Sequence, residues 1–165
     1  MSRVLNRWVL VGVLVAVGIA GWATAWTIQQ NSAAQNAALV DAGATADVQA
    51  QVSQALTRVL SYDFNDPQVT EDAAEQFLSG DAREEYDTLY ATLKEQAPDQ
   101  ELVLTAQVQV TGVKELGEDE AELLVFLDQA SRRATDEEAS VSAAQLAVTA
   151  ERDGDAWTIT GLEIL

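Results

Sequence analysis

Cysteine and histidine are both absent from this 165-residue chain. Without cysteine there is no disulfide, no thiolate metal site and no cysteine nucleophile. Without histidine there is no imidazole ligand, and the serine-triad relay is excluded. The two absences remove most common catalytic arrangements, so function has to rest on carboxylates, hydroxyls, amides or surfaces.

Basic residues are also scarce. The chain has nine Lys and Arg against 27 Asp and Glu, a formal net charge of −18. Two of the nine, Arg3 and Arg7, stand at the N-terminus, whereas every acid lies at or beyond Asp41. The part after residue 28 therefore carries seven basic and 27 acidic residues, a net charge of −20. Such a domain repels phosphates, which argues against non-specific binding to nucleic acid or to anionic lipid.

The one long apolar run covers residues 8–28 and contains no charge. As a helix it would span about 31 Å, close to the hydrocarbon thickness of a bilayer. Trp8, Trp22 and Trp26 stand near its ends, where tryptophan favours the membrane interface. Arg3 and Arg7 precede it, so the positive-inside rule predicts a cytoplasmic N-terminus (1–7) and an outer remainder. A signal peptide cleaved after Ala23-Thr24-Ala25 is the alternative, and it also places the remainder outside.

A polar tether at 29–38 comes first, and a segment with helical periodicity comes after it. From residue 39 to about Tyr62, apolar residues recur at steps of three and four, including Val48, Val52 and Leu56. A second helix is predicted from Thr70 to Gly80. A third is predicted from a capping box at Asp81 and Glu84 up to Pro98.

After residue 101 the helical periodicity gives way to the alternation of apolar and polar residues that is typical of strands. Four strands are predicted: 102–111 with Leu104 to Val110 on the buried face, 121–128 as a central strand, 139–151, and one around Trp157 after a turn at Asp153-Gly154. Helices followed by antiparallel strands predict an α+β domain over 39–165, with three helices on a curved four-stranded sheet.

Four stretches of this sequence resemble the Mce-associated membrane proteins of actinobacteria, which have a cone-shaped, cystatin- or nuclear-transport-factor-like fold. The stretches are Val59-Leu60-Ser61-Tyr62-Asp63, Phe77 to Tyr86, Leu124 to Gln129, and Asp153 to Trp157. The resemblance covers the whole chain and implies a non-enzymatic accessory protein that stabilises an Mce-type lipid importer, with Mce subunits as partners. The candidate fold or interaction residues are Tyr62, Asp63, Leu78, Gly80, Arg83, Tyr86, Asp128, Gln129 and Trp157.

Two other non-catalytic hypotheses stay open. The cone interior could hold a lipid or steroid, since Ala143, Ala144, Ala147 and Gly161 leave space on the strands. Anchored cones of this fold also serve as scaffolds of type IV secretion systems.

Catalytic and metal sites are not expected. Tyr62, Asp63, Tyr86 and Tyr90 offer the tyrosine and carboxylate that ketosteroid isomerases use on this fold, but each residue also has a structural explanation. The acid cluster at 118–122 lacks the glycine-centred pattern of a calcium loop and is expected to be a solvated hairpin. We therefore expect no catalytic residues, no metal and no cofactor.

Overall fold

The structure is a computed structural model that describes residues 36–165, apart from positions 40, 134 and 137. The predicted spanning segment at 8–28, and most of the predicted tether at 29–38, lie outside the described residues. Within the described ranges, no helix is long and apolar enough to cross a membrane.

Three α-helices follow a short 3-10 helix at Ala37–Leu39: α1 (Ala42–Val59), α2 (Pro67–Phe77) and α3 (Gly80–Gln100). The carboxylate of Asp41 caps α1 by accepting a 2.9 Å hydrogen bond from the backbone N–H of Ala44. The predicted stripe of α1 is confirmed, because Val48, Val52 and Leu56 are buried against the sheet.

The ends of α2 and α3 differ from the prediction. Helix α2 begins at Pro67, whose fixed φ and missing N–H suit the first helical position. Helix α3 is preceded by Ser79 without a side-chain cap, so the predicted capping box at Asp81 is wrong. It runs through Pro98 and ends where Glu101 adopts a left-handed conformation (φ 47°).

Five antiparallel strands form one sheet in the order β1-β2-β3-β4-β5. They are β1 (Tyr62–Asp63), β2 (Val103–Leu116), β3 (Glu120–Arg132), β4 (Ser140–Asp153) and β5 (Ala156–Ile164). Two predictions are confirmed here: β3 is the central strand, and Gly154 (φ 62°) makes the turn between β4 and β5. The α+β architecture is likewise confirmed.

The number of strands corrects the prediction. Four strands were predicted and the sheet has five, because β1 was not expected. Residues 59–63 were expected to close the first helix, but α1 ends at Val59 and Tyr62 pairs with Leu104 of β2. The hydroxyl of Ser61 explains the change of direction. It donates to the Thr57 carbonyl at 2.7 Å and accepts from the Ala106 N–H at 3.0 Å, so it joins the end of α1 to β2.

A β-bulge between Val108 and Val110 corrects the predicted faces of β2. The extra residue reverses the alternation, so Val110, predicted to be buried, is 60% exposed. Thr111 turns towards α1 instead, where its hydroxyl lies 2.8 Å from that of Ser53 and its carbonyl accepts from Nε2 of Gln49 at 2.7 Å.

The interior between the helices and the sheet is filled with side chains. Leu56 of α1, Val125 of β3 and Ile159 of β5 are fully buried within one cluster. The hydroxyl of buried Thr70 donates to the Ser61 carbonyl at 2.8 Å and fixes α2 to the end of α1. The main core of the domain is therefore packed.

Candidate interaction surface

Three tyrosines meet where α3 passes β1. The Tyr62 and Tyr90 rings are edge-to-face with centroids 5.9 Å apart, and the Tyr86 and Tyr90 rings are stacked at 5.2 Å. Asp63, considered above as a base, is exposed and accepts hydrogen bonds from the backbone N–H and Nδ2 of Asn65, both at 2.9 Å. It stabilises a turn at the surface, so this arrangement gives the catalytic hypothesis no support.

Two of these tyrosines differ in how their hydroxyls are satisfied. The Tyr90 hydroxyl donates to the Pro67 carbonyl at 3.0 Å. The Tyr86 hydroxyl is buried and has no hydrogen-bond partner within the described part of the chain. Burial, reinforced by the charge of Glu71, raises the pKa of Tyr90 to about 12. Burial also raises the pKa of Tyr86, with Tyr90 as the next cause.

Removing the Tyr86 hydroxyl and removing the Tyr90 hydroxyl should change the free energy of unfolding in opposite directions. Tyr86→Phe removes an unsatisfied buried group and is expected to stabilise the domain by about 1 kcal/mol. Tyr90→Phe removes a hydrogen bond and leaves the Pro67 carbonyl unpaired, so a loss of about 1 kcal/mol is expected. Urea unfolding of the two variants measures both changes. Equal effects of the same sign would contradict this description of the cluster.

The raised pKa values also predict alkaline sensitivity. Below the ordinary pKa of 10, both tyrosines are neutral in the folded and the unfolded chain, so they give stability no pH dependence. Above pH 10 the unfolded chain releases these protons while the folded domain retains them, so stability falls as pH rises through about 12. Urea midpoints measured from pH 9 to 12 should fall less steeply for Tyr90→Phe than for the parent protein.

Leu78 and Gly80 belong to the connection between α2 and α3, which crosses the first half of β5. Leu78 forms a parallel bridge with Ile159, and the N–H of Ser79 donates to the Ile159 carbonyl at 2.9 Å. Gly80 was predicted to end the second helix but opens the third, with φ of 54°. A glycine suits this left-handed conformation, which strains residues with a side chain.

Four further candidate residues have separate structural roles. Arg83 forms a surface ion pair with Asp87 at 2.9 Å, and Asp128 lies half-buried on the face of β3 away from the helices. Gln129 donates from Nε2 to the Leu60 carbonyl at 3.4 Å. Trp157 is buried. The nine candidate residues therefore do not form one surface.

Gln51 is a contact residue that the sequence pattern did not indicate. Its Nε2 donates to the Asp155 carbonyl and its Oε1 accepts from the Trp157 N–H, both at 3.0 Å. The side chain thereby fastens the β4–β5 turn to α1. No signal in the sequence pointed to it, because it lies beside the apolar stripe and resembles any polar helix residue.

A groove of about 990 Å³ lies beside the second half of β5, between that strand and the first half of α3. We call it the edge groove. Its apolar lining includes Leu60, Leu89, Leu124, Leu162, Ile164 and Leu165. Leu89, Ile164 and Leu165 are 71%, 73% and 61% exposed, respectively. Exposed leucine and isoleucine side chains gathered in one groove are typical of a surface that binds another molecule.

Acidic side chains border the edge groove. Asp81, Glu85, Glu122 and Glu163 all line it, and Lys114 is the basic residue in the same lining. Lys114 forms an ion pair with Glu122, which raises the pKa of the lysine. The groove therefore combines an apolar lining with negative charge.

A second exposed apolar area lies on the face of the sheet away from the helices. Val110 and Phe126 are register partners on β2 and β3, and they are 60% and 43% exposed. Leu124, two residues from Phe126 on the same face of β3, connects this area to the edge groove.

Comparison with known proteins gives a fold but no family. No family model and no curated protein matches the chain. Several solved structures share the fold, among them the following three. An IcmL-like type IV secretion system protein from Legionella pneumophila has a TM-score of 0.61 and 11% identity, covering 73% of this chain and 91% of its own. CagV, a VirB8 homologue of the Helicobacter pylori type IV secretion system, has a TM-score of 0.57 and 11% identity. The match covers 72% of this chain and 96% of CagV. A periplasmic fragment of TraM has a TM-score of 0.56 and 16% identity. The match covers 74% of this chain and 97% of the TraM fragment.

These findings correct the family and partner predictions. The resemblance predicted an Mce-associated protein with Mce subunits as partners, but the solved structures that share the fold include type IV secretion system proteins, and no family model or curated protein supports the Mce prediction. The identification is therefore wrong. The stretches that suggested it contain residues required by the fold itself, such as Gly80 with its positive φ and buried Trp157, and such residues do not identify a family.

Proposed function

We propose that this protein is a non-enzymatic, membrane-anchored subunit of an envelope assembly of the type IV secretion or conjugative transfer kind. The observation that carries the proposal is the shared fold, which extends over 91% and 96% of two proteins from type IV secretion systems. The proposal replaces lipid import with secretion or transfer and keeps the scaffold role that the sequence suggested.

The surface of the domain supports a scaffold role. The apolar side chains that the core leaves uncovered are concentrated in the edge groove and around Phe126. Residues of this kind bind other proteins when they are grouped on a folded domain. Within the described residues, no group of acidic side chains is arranged to hold a metal ion.

The proposed position of the domain is outside the cytoplasm. Residues 8–28 form the anchor, and Arg3 and Arg7 hold the N-terminus on the cytoplasmic side. An anchor of this kind confines the domain to a layer near the membrane and raises its effective concentration towards other membrane subunits.

A lipid- or steroid-binding role is less well supported. That hypothesis places the ligand inside the cone. Leu56, Val125 and Ile159 fill the middle of the space between α1 and the sheet, and the edge groove reaches only the end of α1, at Val59 and Leu60. The small residues Ala147 and Gly161 line the edge groove, and Ala144 packs against the core.

Co-isolation from native membranes tests the proposal. The tagged full-length protein is purified in mild detergent, with the untagged strain as the control, and co-purifying proteins are identified by mass spectrometry. We expect subunits of a secretion or transfer assembly, enriched at least tenfold over the control. Repeated recovery of the protein alone, or with lipid as its only companion, would contradict the proposal.

A further inference from the structure

The two halves of β5 differ in how their free edge is covered. In the first half, the Trp157 N–H donates to Gln51 and the Ile159 carbonyl accepts from Ser79. These contacts satisfy backbone groups that point away from β4. Gln51 of α1 and the connection between α2 and α3 thus cover the edge up to about residue 160.

In the second half, the register shows which backbone groups point outwards. Leu162 and Ile164 are paired with Val148 and Leu146 of β4, and the Leu165 N–H donates to the Gln145 carbonyl. Antiparallel neighbours alternate between hydrogen-bonded and non-hydrogen-bonded pairs. Since residue 165 bonds towards β4, the N–H and C=O groups of Leu162 and Ile164 point away from it.

Those outward groups have no hydrogen-bond partner within the described part of the chain. An uncovered strand edge is a template for pairing with another chain, and proteins usually block it with lysine, proline or a covering loop. The segment Gly161-Leu162-Glu163-Ile164 contains neither lysine nor proline, and it contains one charge.

The edge groove encloses this open edge. Leu162 and Ile164 lie on the helix-facing side of the sheet, as their buried partners Val148 and Leu146 show. Gly161 and Glu163 lie on the opposite side, and all four residues line the groove. A peptide strand placed along β5 would therefore contact side chains on both sides of the sheet.

We propose that the second half of β5 binds an extended segment of a partner protein by strand addition, and that apolar residues alternate with Lys or Arg in that segment. The apolar side chains would lie beside Leu162, Ile164 and exposed Leu89. The basic side chains would lie on the other side, beside Glu163. Main-chain hydrogen bonds supply affinity in this binding mode, and alternate side chains supply specificity.

Charge decides which occupant fits the edge. Four carboxylates border the groove, at Asp81, Glu85, Glu122 and Glu163, against one lysine, Lys114, which pairs with Glu122. The lining therefore has a net charge of −3 (four negative and one positive group), and the chain after residue 28 has a net charge of −20. A second copy paired through β5 would bring two Glu163 side chains together on one face of the sheet, which is unfavourable. A basic segment gains from the same charges, and attraction of this kind also accelerates its association.

This inference rests on the proposed function, because the segment would belong to another subunit of the assembly. Its first test uses full-length protein in mild detergent and a set of eight-residue peptides. The peptides alternate Lys or Arg with Val, Ile, Leu or Phe. Two controls have matched composition: one has its alternation scrambled, and one has alternate backbone amides methylated so that they cannot donate.

Fluorescence anisotropy should give micromolar dissociation constants for alternating peptides and at least tenfold weaker binding for both controls. Hydrogen exchange should slow at the amides of Leu162 and Ile164 when peptide is bound. Failure of every alternating peptide to bind at concentrations up to about 1 mM would overturn the inference. Binding without protection of those two amides would also overturn it.

Two variants at one position separate the backbone contribution from the side chain. Ile164→Pro removes an N–H that points away from β4, so the β4–β5 pairing is retained, and peptide binding should weaken at least tenfold. Ile164→Ala keeps the N–H and should weaken binding about threefold. Glu163→Gln should reduce the salt dependence of binding. Equal binding by the proline and alanine variants would overturn the strand-addition geometry.

The same proline variant distinguishes this inference from the proposed function. If Ile164→Pro loses peptide binding but the parent protein co-isolates no secretion or transfer subunit, strand addition stands and the proposed function fails. If the parent protein co-isolates such subunits and Ile164→Pro still retains them, the proposed function stands and strand addition fails. Sedimentation of the protein as a dimer that Ile164→Pro dissociates would assign the edge to a second copy and overturn the inference.

Discussion

Replacing Trp157 with alanine is expected to destabilise the domain by about 3–5 kcal/mol, the usual cost of removing a buried tryptophan side chain. The indole is 5% exposed and packs in the main core, and the Arg152 guanidinium lies 5.6 Å from the ring centroid. The Trp157 N–H bond to Gln51 involves the backbone, so the change isolates the side chain. Urea unfolding followed by far-UV circular dichroism measures the loss.

Two further variants show which contact dominates. Trp157→Phe keeps much of the buried area and should cost less than half as much as the alanine change. Arg152→Ala removes the cation over the ring together with its surface ion pair to Asp119 at 3.8 Å, and should cost about 0.5–1 kcal/mol. A loss below 1 kcal/mol for Trp157→Ala would mean that this residue, a candidate fold or interaction residue from the sequence, does not support the core.

Leu89→Lys is expected to reduce co-isolation of partner subunits at least tenfold while leaving the domain folded. Leu89 lines the edge groove and is 71% exposed, so its replacement removes a contact that the core does not need. Lysine also puts a charge at the position where the proposal places apolar side chains of the partner segment, so burying it in the complex is unfavourable. Quantitative mass spectrometry of the purified full-length variant measures the effect.

Val69→Lys provides the matched control. Val69 is 62% exposed on α2 and does not line the edge groove. Both variants should unfold within about 0.5 kcal/mol of the parent protein, as exposed substitutions usually do. Equal loss of co-isolated subunits in the two variants would show that added charge, not the groove, is responsible.

Much of the fold was predictable because its elements are long enough to show a period. The stripe through Val48, Val52 and Leu56 extends over several helical turns, and the apolar run at 123–127 identified the central strand. The turn at Gly154 was predictable from a local glycine signal. In each case the residues that determine the element lie within it.

The missed features depend on contacts between distant residues. Strand β1 has two residues, too few for a period, and forms because Ser61 joins the end of α1 to β2. The bulge that exposes Val110 is coupled to the contact between Thr111 and Ser53. No local pattern around either site predicts them, because the partner residues lie more than forty positions away in the chain.

The candidate surface was the least predictable part. The edge groove is lined by residues from α1, α3 and four strands of the sheet, which lie far apart in the sequence, so no local pattern predicts it. Nothing in the sequence distinguishes Leu89 or Ile164 from the apolar residues that enter the core. The sequence residues that suggested a family, Gly80 and Trp157 among them, are explained by local conformation and packing.

Site-specific photo-crosslinking in native cells tests the scaffold function most directly. A photoreactive amino acid replaces Leu89 in the edge groove of the full-length protein, and a second strain carries it at Val69 on α2 as the control. After irradiation, we expect strong adducts at position 89 with subunits of a secretion or transfer assembly, and weak or no adducts at position 69. Absence of protein adducts at position 89, or the same adducts at both positions, would contradict the account.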